Sequence, residues 1–243
     1  MIPCSKAEQE ADRIEERSAL LRLVRLQLPE PLRHATFAAF DPEPDAAALR
    51  LAQQWTDAVE RWYAAGKPTS GPNIMLTSKR EGEEVAPGNG KSLLAAAALL
   101  ALAERGAGRI YHFERGGESW PSLMWISSAD LISQVRSTYN RNSDTTAEQV
   151  VGRFTWADVL VLDDVGTEPG AEDATSHLFR LMDHRIGKPT FYTSNYSPKK
   201  LEGRSPEWSK IVSRMSSSLR GTSLSGPDRR KPLKPSEAWG EWT

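Results

Sequence analysis

Ala86-Pro87-Gly88-Asn89-Gly90-Lys91-Ser92 is the stretch on which the reading of the chain turns, with an apolar run before it and Leu93-Leu94-Ala95-Ala96-Ala97-Ala98-Leu99-Leu100 after it. Glycines carry no Cβ, so backbone N–H groups can converge on an anion, and the N-terminus of the following helix points partial positive charge at the same place. The stretch reads as a phosphate-binding loop formed by Pro87, Gly88, Asn89 and Gly90. Lys91 then reaches the outer phosphates, and the Ser92 hydroxyl ligates Mg²⁺. The spacing is imperfect: the pattern G-x-x-x-x-G-K-[ST] puts its first glycine at position 85, where this chain has Val85. A Gly-rich turn ahead of an Ala-rich core helix is the competing reading, and the rest of the chain has to decide.

The 243 residues have room for one medium domain with attachments. Their 31 basic and 32 acidic side chains nearly cancel, so any nucleic-acid contact has to come from a local patch rather than from net charge. A single cysteine, Cys4, excludes an internal disulfide and a cysteine-based zinc site and fits a reducing compartment. No stretch reaches the ~18 apolar residues of a membrane span, and the N-terminus lacks a secretion signal. The expectation is a cytoplasmic protein with no membrane contact.

Along the chain, residues 5 to 28 are charged and helix-prone, with Ser5 and Glu8 at capping-box spacing and a narrow stripe of Leu20, Leu21, Val24 and Leu28. Such a helix packs either on the body or on a partner. Residues 35 to 42 read as an extended link, and residues 45 to 65 as an amphipathic helix holding Trp55 and Trp62. Asn73-Ile74-Met75-Leu76-Thr77 suits a buried strand. The charged segment 78 to 85 reads as an insertion, which would leave Ser78 rather than Val85 in the place of the missing glycine. Two apolar runs, 109 to 113 and 122 to 126, read as a hairpin or as one strand with an excursion. Helices are expected over 129 to 139 and 146 to 156.

Val159-Leu160-Val161-Leu162 then ends in Asp163 and Asp164. An uninterrupted apolar strand belongs at the centre of a parallel sheet, and polar groups at its C-terminal end lie where ligands bind in open α/β sheets. A helix over 172 to 184, a strand from Thr190 ending in Ser194-Asn195, a helix over 206 to 217 containing Arg214, and a short strand over 222 to 224 follow. A phosphate loop, a paired acid and a Ser-Asn at successive strand ends form the layout of an ATPase. Asp163 holds Mg²⁺, Asp164 orients or deprotonates the attacking water, Asn195 positions that water, and Arg214 serves a neighbouring subunit as an arginine finger. Each feature has a plainer counterpart: a turn for the aspartates, a helix entry for Asn195, a solvated charge for Arg214.

These residues carry a resemblance. Leu160-Val161-Leu162-Asp163-Asp164-Val165-Gly166, Leu178-Phe179-Arg180-Leu181-Met182-Asp183-His184-Arg185, Thr193-Ser194-Asn195, Ile211-Val212-Ser213-Arg214-Met215 and Gly226-Pro227-Asp228-Arg229-Arg230 resemble the DnaC/IstB-like AAA+ ATPases, as do His34-Ala35-Thr36-Phe37 and Gly71-Pro72-Asn73 upstream. That family comprises bacterial and phage replicative-helicase loaders and transposon ATPases. The resemblance covers residues 29 to 230 and implies an AAA+ P-loop domain there, an αβα sandwich around a parallel five-stranded sheet. It follows a helical partner-binding segment over 1 to 28 and precedes a flexible basic, Trp-containing tail over 231 to 243. The resemblance implies Lys91 and Ser92 as Walker A, Asp163 and Asp164 as Walker B, Asn195 as sensor 1, Arg214 as the trans-acting finger and Arg230 as a basic residue near nucleotide. ATP and Mg²⁺ are the implied cofactors. The implied function is loading of a hexameric DnaB-type helicase onto single-stranded DNA by an ATP-dependent homo-oligomer. An IstB-like transposition ATPase and a non-hydrolysing adaptor are the alternatives. Arg136, Tyr139 and Arg141 are candidates for DNA backbone contact and base stacking, or a plain surface helix.

Overall fold

The computed structural model describes residues 6–67, 70–78, 80–81, 84–85, 88–105, 110–112, 117–140, 143–168, 171–226 and 228–229. The elements in chain order are α1 (Lys6–Gln27), α2 (Ala46–Ala64), β1 (Asn73–Ser78), β2 (Arg80–Glu81), β3 (Glu84–Val85), α3 (Lys91–Arg105), β4 (Ile110–His112), β5 (Gly117–Ser119), β6 (Leu123–Ser127), α4 (Ser128–Ser137), α5 (Ala147–Thr155), β7 (Val159–Asp163), α6 (Ala171–His184), β8 (Thr190–Ser194), α7 (Pro198–Glu202), α8 (Pro206–Met215) and β9 (Leu219–Leu224).

Five strands form one sheet in the order β6-β7-β8-β1-β9, with every pairing parallel. Alternation along each strand sends side chains to two apolar layers. Val159 and Val161 face Trp55, Leu94, Leu99 and Val24, beneath α1, α2 and α3. Leu160 and Leu162 face Leu131, Leu178, Leu181 and Ile211, beneath α4, α5, α6 and α8. The expected αβα sandwich with five parallel strands is therefore present.

The sheet edge at β6 is covered by α1. The Gln27 side chain takes the part of a neighbouring strand: its Nε2 donates to Leu123 O at 3.1 Å, and its Oε1 accepts from Trp125 N at 3.0 Å. That pairing blunts an edge otherwise open to association. Val24 and Leu28 are buried beside it, so the C-terminal end of α1 belongs to the body, whereas Leu23 and Leu26 are 61% and 72% exposed.

Several local expectations need correction. The link over 35 to 42 contains a 3₁₀ turn, Phe37–Ala39, begun by Thr36, whose hydroxyl accepts from Ala39 N. The run near 110 pairs antiparallel with β5 rather than with β6, which joins the main sheet instead. The last strand is twice the expected length: Leu219 to Leu224 lie in continuous register with β1. Its polar sequence hid it, because an edge strand with one solvated flank lacks an apolar signature. The short α7 was not foreseen; its N-cap Ser197 accepts from Lys200 N. The C-terminal tail, Arg141 and Arg230 lie outside the described residues.

Candidate functional site

The C-terminal ends of β1, β7 and β8 lie side by side in the sheet, and the N-terminus of α3 meets them. β1 ends in Ser78, and the following segment forms the β2–β3 hairpin in which Arg80 pairs with Val85. Val85 therefore sits in the insertion, as the charge pattern suggested, and the chain re-enters at Gly88. Gly88 and Gly90 have φ of +76° and +98°, a region that side chains rarely occupy. A Cβ on Gly90 would come within 2.7 Å of the Phe40 ring. Pro87 lies outside the described residues.

Lys91 is buried at the centre. Its Nζ donates to Ser78 Oγ at 2.7 Å, to Asn195 Oδ1 at 2.9 Å and to Asn89 Oδ1 at 3.0 Å. An ammonium has three donors, and these three oxygens tie the loop to the ends of β1 and β8. Asn89 also donates to Leu224 O at 3.2 Å, which anchors the loop to β9.

On the other side of the loop, Ser92 Oγ donates to Asp163 Oδ1 at 2.9 Å, and Thr193 Oγ1 donates to the same oxygen. Burial and the neighbouring Asp164 push the Asp163 carboxyl up to about 6, against the opposing pull of the Thr193 and Ser92 hydrogen bonds and of Lys91. A buried carboxylate beside a serine hydroxyl and a second carboxylate is a set of hard oxygens that suits Mg²⁺ and would be relieved of its charge by it. Among the described residues no group of three His, Cys, Asp or Glu side chains forms a metal cage.

Asp164 occupies the left-handed region, with φ of +53°. Its N–H donates to Thr193 Oγ1 at 2.9 Å, and its carbonyl accepts from Ser128 Oγ at 2.8 Å. The strand end is thus bent over so that the second carboxylate is not fully buried, unlike the first. Asparagine tolerates this conformation well, so Asp164→Asn removes the charge and leaves the turn. If Asp164 is the general base, turnover is expected to fall about 10²-fold or more with thermal stability unchanged, as read by a phosphate-release assay and a melting curve.

The expected site residues Gly88, Asn89, Gly90, Lys91, Ser92, Asp163, Asp164 and Asn195 are therefore assembled in one place. Arg214 is elsewhere: on α8 its Nε donates to Asp183 Oδ1 at 2.6 Å, and its guanidinium lies over the Phe179 ring. Sequence reasoning missed Thr193, which links the two aspartates, and Arg229. The backbone N–H of Arg229 donates to Gly88 O at 2.8 Å, its Nε donates to Asn89 O at 3.1 Å, and its guanidinium stacks over Phe40. Asp45 secures the same strap by accepting from Ser225 N and Gly226 N.

No protein-family model matches the chain. The replicative helicase loader DnaI of Bacillus subtilis (strain 168) is 25% identical over 198 residues, which are 80% of this chain and 54% of that protein. The replicative helicase loader DnaC of Escherichia coli (strain K12) is 30% identical over 111 residues, 45% of this chain and 39% of that protein. The chain thus spans about half the length of DnaI and less of DnaC in these matches. The crystal structure of the DnaC helicase loader superposes with a TM-score of 0.58 at 19% identity, covering 81% of this chain and 99% of that one. AMPPCP-bound DnaA from Aquifex aeolicus superposes with a TM-score of 0.55 at 20% identity, covering 80% and 52%.

This is an AAA+ P-loop fold, and the resemblance to the DnaC/IstB-like ATPases stands. The β2–β3 hairpin lies between β1 and the loop, and Ser78 supplies an oxygen to Lys91 at the strand end that precedes it. Among the described residues no helix is long and apolar enough to cross a membrane.

Proposed function

We propose that this chain is an ATP-dependent loader that delivers a hexameric DnaB-type replicative helicase to single-stranded DNA. The observation that carries the reading is the convergence of Lys91, the Ser92–Asp163 pair and Asn195 at adjoining strand ends, in a chain similar to two named helicase loaders.

Residues Gly88 to Ser92 bind the phosphates of ATP, with Lys91 exchanging its oxygens Ser78 Oγ and Asn195 Oδ1 for phosphate oxygens. Ser92 and Asp163 hold Mg²⁺, which when bound neutralises charge on the phosphates. Asp164 accepts a proton from the water whose oxygen bonds to the terminal phosphorus. The bond from that phosphorus to the bridging oxygen breaks, and its electron pair leaves with ADP. Asn195 orients the water. Arg214 acts on the site of a neighbouring copy in an ATP-dependent homo-oligomer, exchanging Asp183 for the transferring phosphoryl group. The exposed side of α1, with Leu23 and Leu26, meets the helicase. Arg136 and Tyr139, the latter a 56% exposed residue, meet DNA.

The test is co-elution of the protein with its host's replicative helicase in ATP and in ADP, followed by transfer of the helicase to closed circular single-stranded DNA. The expected result is a nucleotide-dependent complex and helicase recovered on the circle. Absence of a complex in every nucleotide state would overturn the reading.

A further inference from the structure

Leu51, Trp55, Ala58 and Trp62 recur at helical spacing along α2 and line a groove of about 750 Å³ between that helix and the edge of the sheet. Arg61 of α2 and Arg220 of β9 line it as well, and no carboxylate does. The floor is rigid: Trp55 is 1% exposed, its Nε1 donates to Pro72 O at 2.9 Å, and its ring meets Phe191 edge-on. Both arginines are exposed. The two carboxylates of α2, Asp57 and Glu60, pair with Arg105 of α3 instead. Among the described residues neither Arg61 nor Arg220 has an ion pair. β9 bounds the groove as an edge strand that pairs only with β1 among the described strands, so its outer flank presents backbone groups to whatever lies alongside.

The chain beyond Arg229 has the complementary chemistry. Ser236-Glu237-Ala238-Trp239-Gly240-Glu241-Trp242-Thr243 carries two carboxylates, two indoles and no basic residue. It also starts from the right place. Asp45, the residue ahead of α2, accepts from Ser225 N and Gly226 N, so the chain reaches Arg229 beside the first turn of that helix. Leu51 is one and a half turns further on, about 9 Å along the helix, and α2 rises about 17 Å more from Leu51 to Trp62. The stretch from Arg229 to Trp242 spans up to about 45 Å when extended, enough to run the length of the groove. A segment descending from that strap runs antiparallel to β9, whose own end leads into the strap.

We infer that residues 236–243 dock in this groove of their own chain, beside β9, with tryptophan from the segment packed against Trp55 and Trp62 and with Glu237 and Glu241 facing Arg61 and Arg220. Aromatic burial supplies the attraction, and the carboxylate–guanidinium pairs set the position along the groove. The docking does not depend on the chemistry of the nucleotide loop.

The test is fluorine NMR of the full chain carrying 5-fluorotryptophan, with Trp239→Phe and Trp242→Phe in turn assigning the two resonances and a soluble gadolinium chelate reporting their exposure. The expected result is that at least one of the two indoles is protected from the chelate, and that the protection is lost in Arg61→Glu/Arg220→Glu and regained when Glu237→Lys/Glu241→Lys is added to that protein. Because both arginines are exposed, melting curves of these variants should match the unaltered protein. Two fully accessible indoles in the unaltered chain overturn the docking. Protection that survives the arginine reversal, or that the combined reversal does not restore, overturns the groove as its place. Protection that disappears on dilution as dimers dissociate assigns the groove to a second copy and overturns docking within the chain.

Discussion

Lys91→Ala is expected to lower ATP turnover at least about 10²-fold, the usual loss when a preorganised electrostatic donor is removed from a phosphoryl-transfer site. Nucleotide affinity is expected to fall with it, since the ammonium is the cation held at the meeting point of the loop, β1 and β8. The fold should survive. Removing the side chain leaves Ser78 Oγ, Asn89 Oδ1 and Asn195 Oδ1 without that donor, but it also removes the cost of keeping a charge buried. A net change within about 2 kcal/mol is therefore expected. Lys91→Arg should not restore turnover, because three acceptors converge on a point and a planar guanidinium presents its donors as a fork. Steady-state phosphate release and a fluorescent-nucleotide titration measure both effects. Turnover by Lys91→Ala within twofold of the unaltered protein would remove hydrolysis from this loop.

The largest effect on stability is expected at Arg185, at the opposite end of the sheet from the proposed nucleotide site. This arginine is 2% exposed. Its Nη1 donates to Phe154 O and to Ala157 O, each at 2.8 Å, its Nη2 to Pro189 O at 2.9 Å and its Nε to Thr190 Oγ1 at 3.2 Å. One side chain therefore fastens the end of α5 and the approach to β7 to the start of β8. Burial pushes its guanidinium down to about 10, while Tyr192, Tyr63 and Asp158 favour the charge, so it is ionised at neutral pH. Arg185→Met keeps much of the apolar stem and strands several buried carbonyls. The expected cost is about 3–5 kcal/mol, as for removing one side of a buried polar network, and a fall in melting temperature on the order of 10 °C. Arg185→Lys should recover little, because the acceptors of Arg185 are spread around the three nitrogens of a planar fork, and one ammonium nitrogen reaches only part of them. A melting temperature within 2 °C of the unaltered protein (roughly 1 kcal/mol or less) would show that the carbonyls find other donors.

Chemistry that depends on neighbours in the chain was open to inspection in the sequence. The loop around Gly88 to Ser92, the apolar strand ending in Asp163 and Asp164, and the strand ending in Asn195 each announce themselves through backbone freedom or hydrophobic run length. Those signals need no partner to be seen. Their order along the chain, alternating with helices, was enough for the sandwich and for most of the site.

What only the tertiary structure decided are relations between distant segments. Thr193 reads as one more strand residue until register places it beside Asp163. Arg229 is a basic residue in a polar stretch until the strap at Asp45 brings it onto the loop. Arg185 looks like a surface charge, the ordinary fate of arginine, until three segments close over it. The edge strand β9 was half missed because its pairing with β1, rather than its composition, makes it a strand. In each case the deciding energy is a hydrogen bond or burial between residues far apart in sequence, and local pattern carries no record of which distant acceptor a side chain will meet.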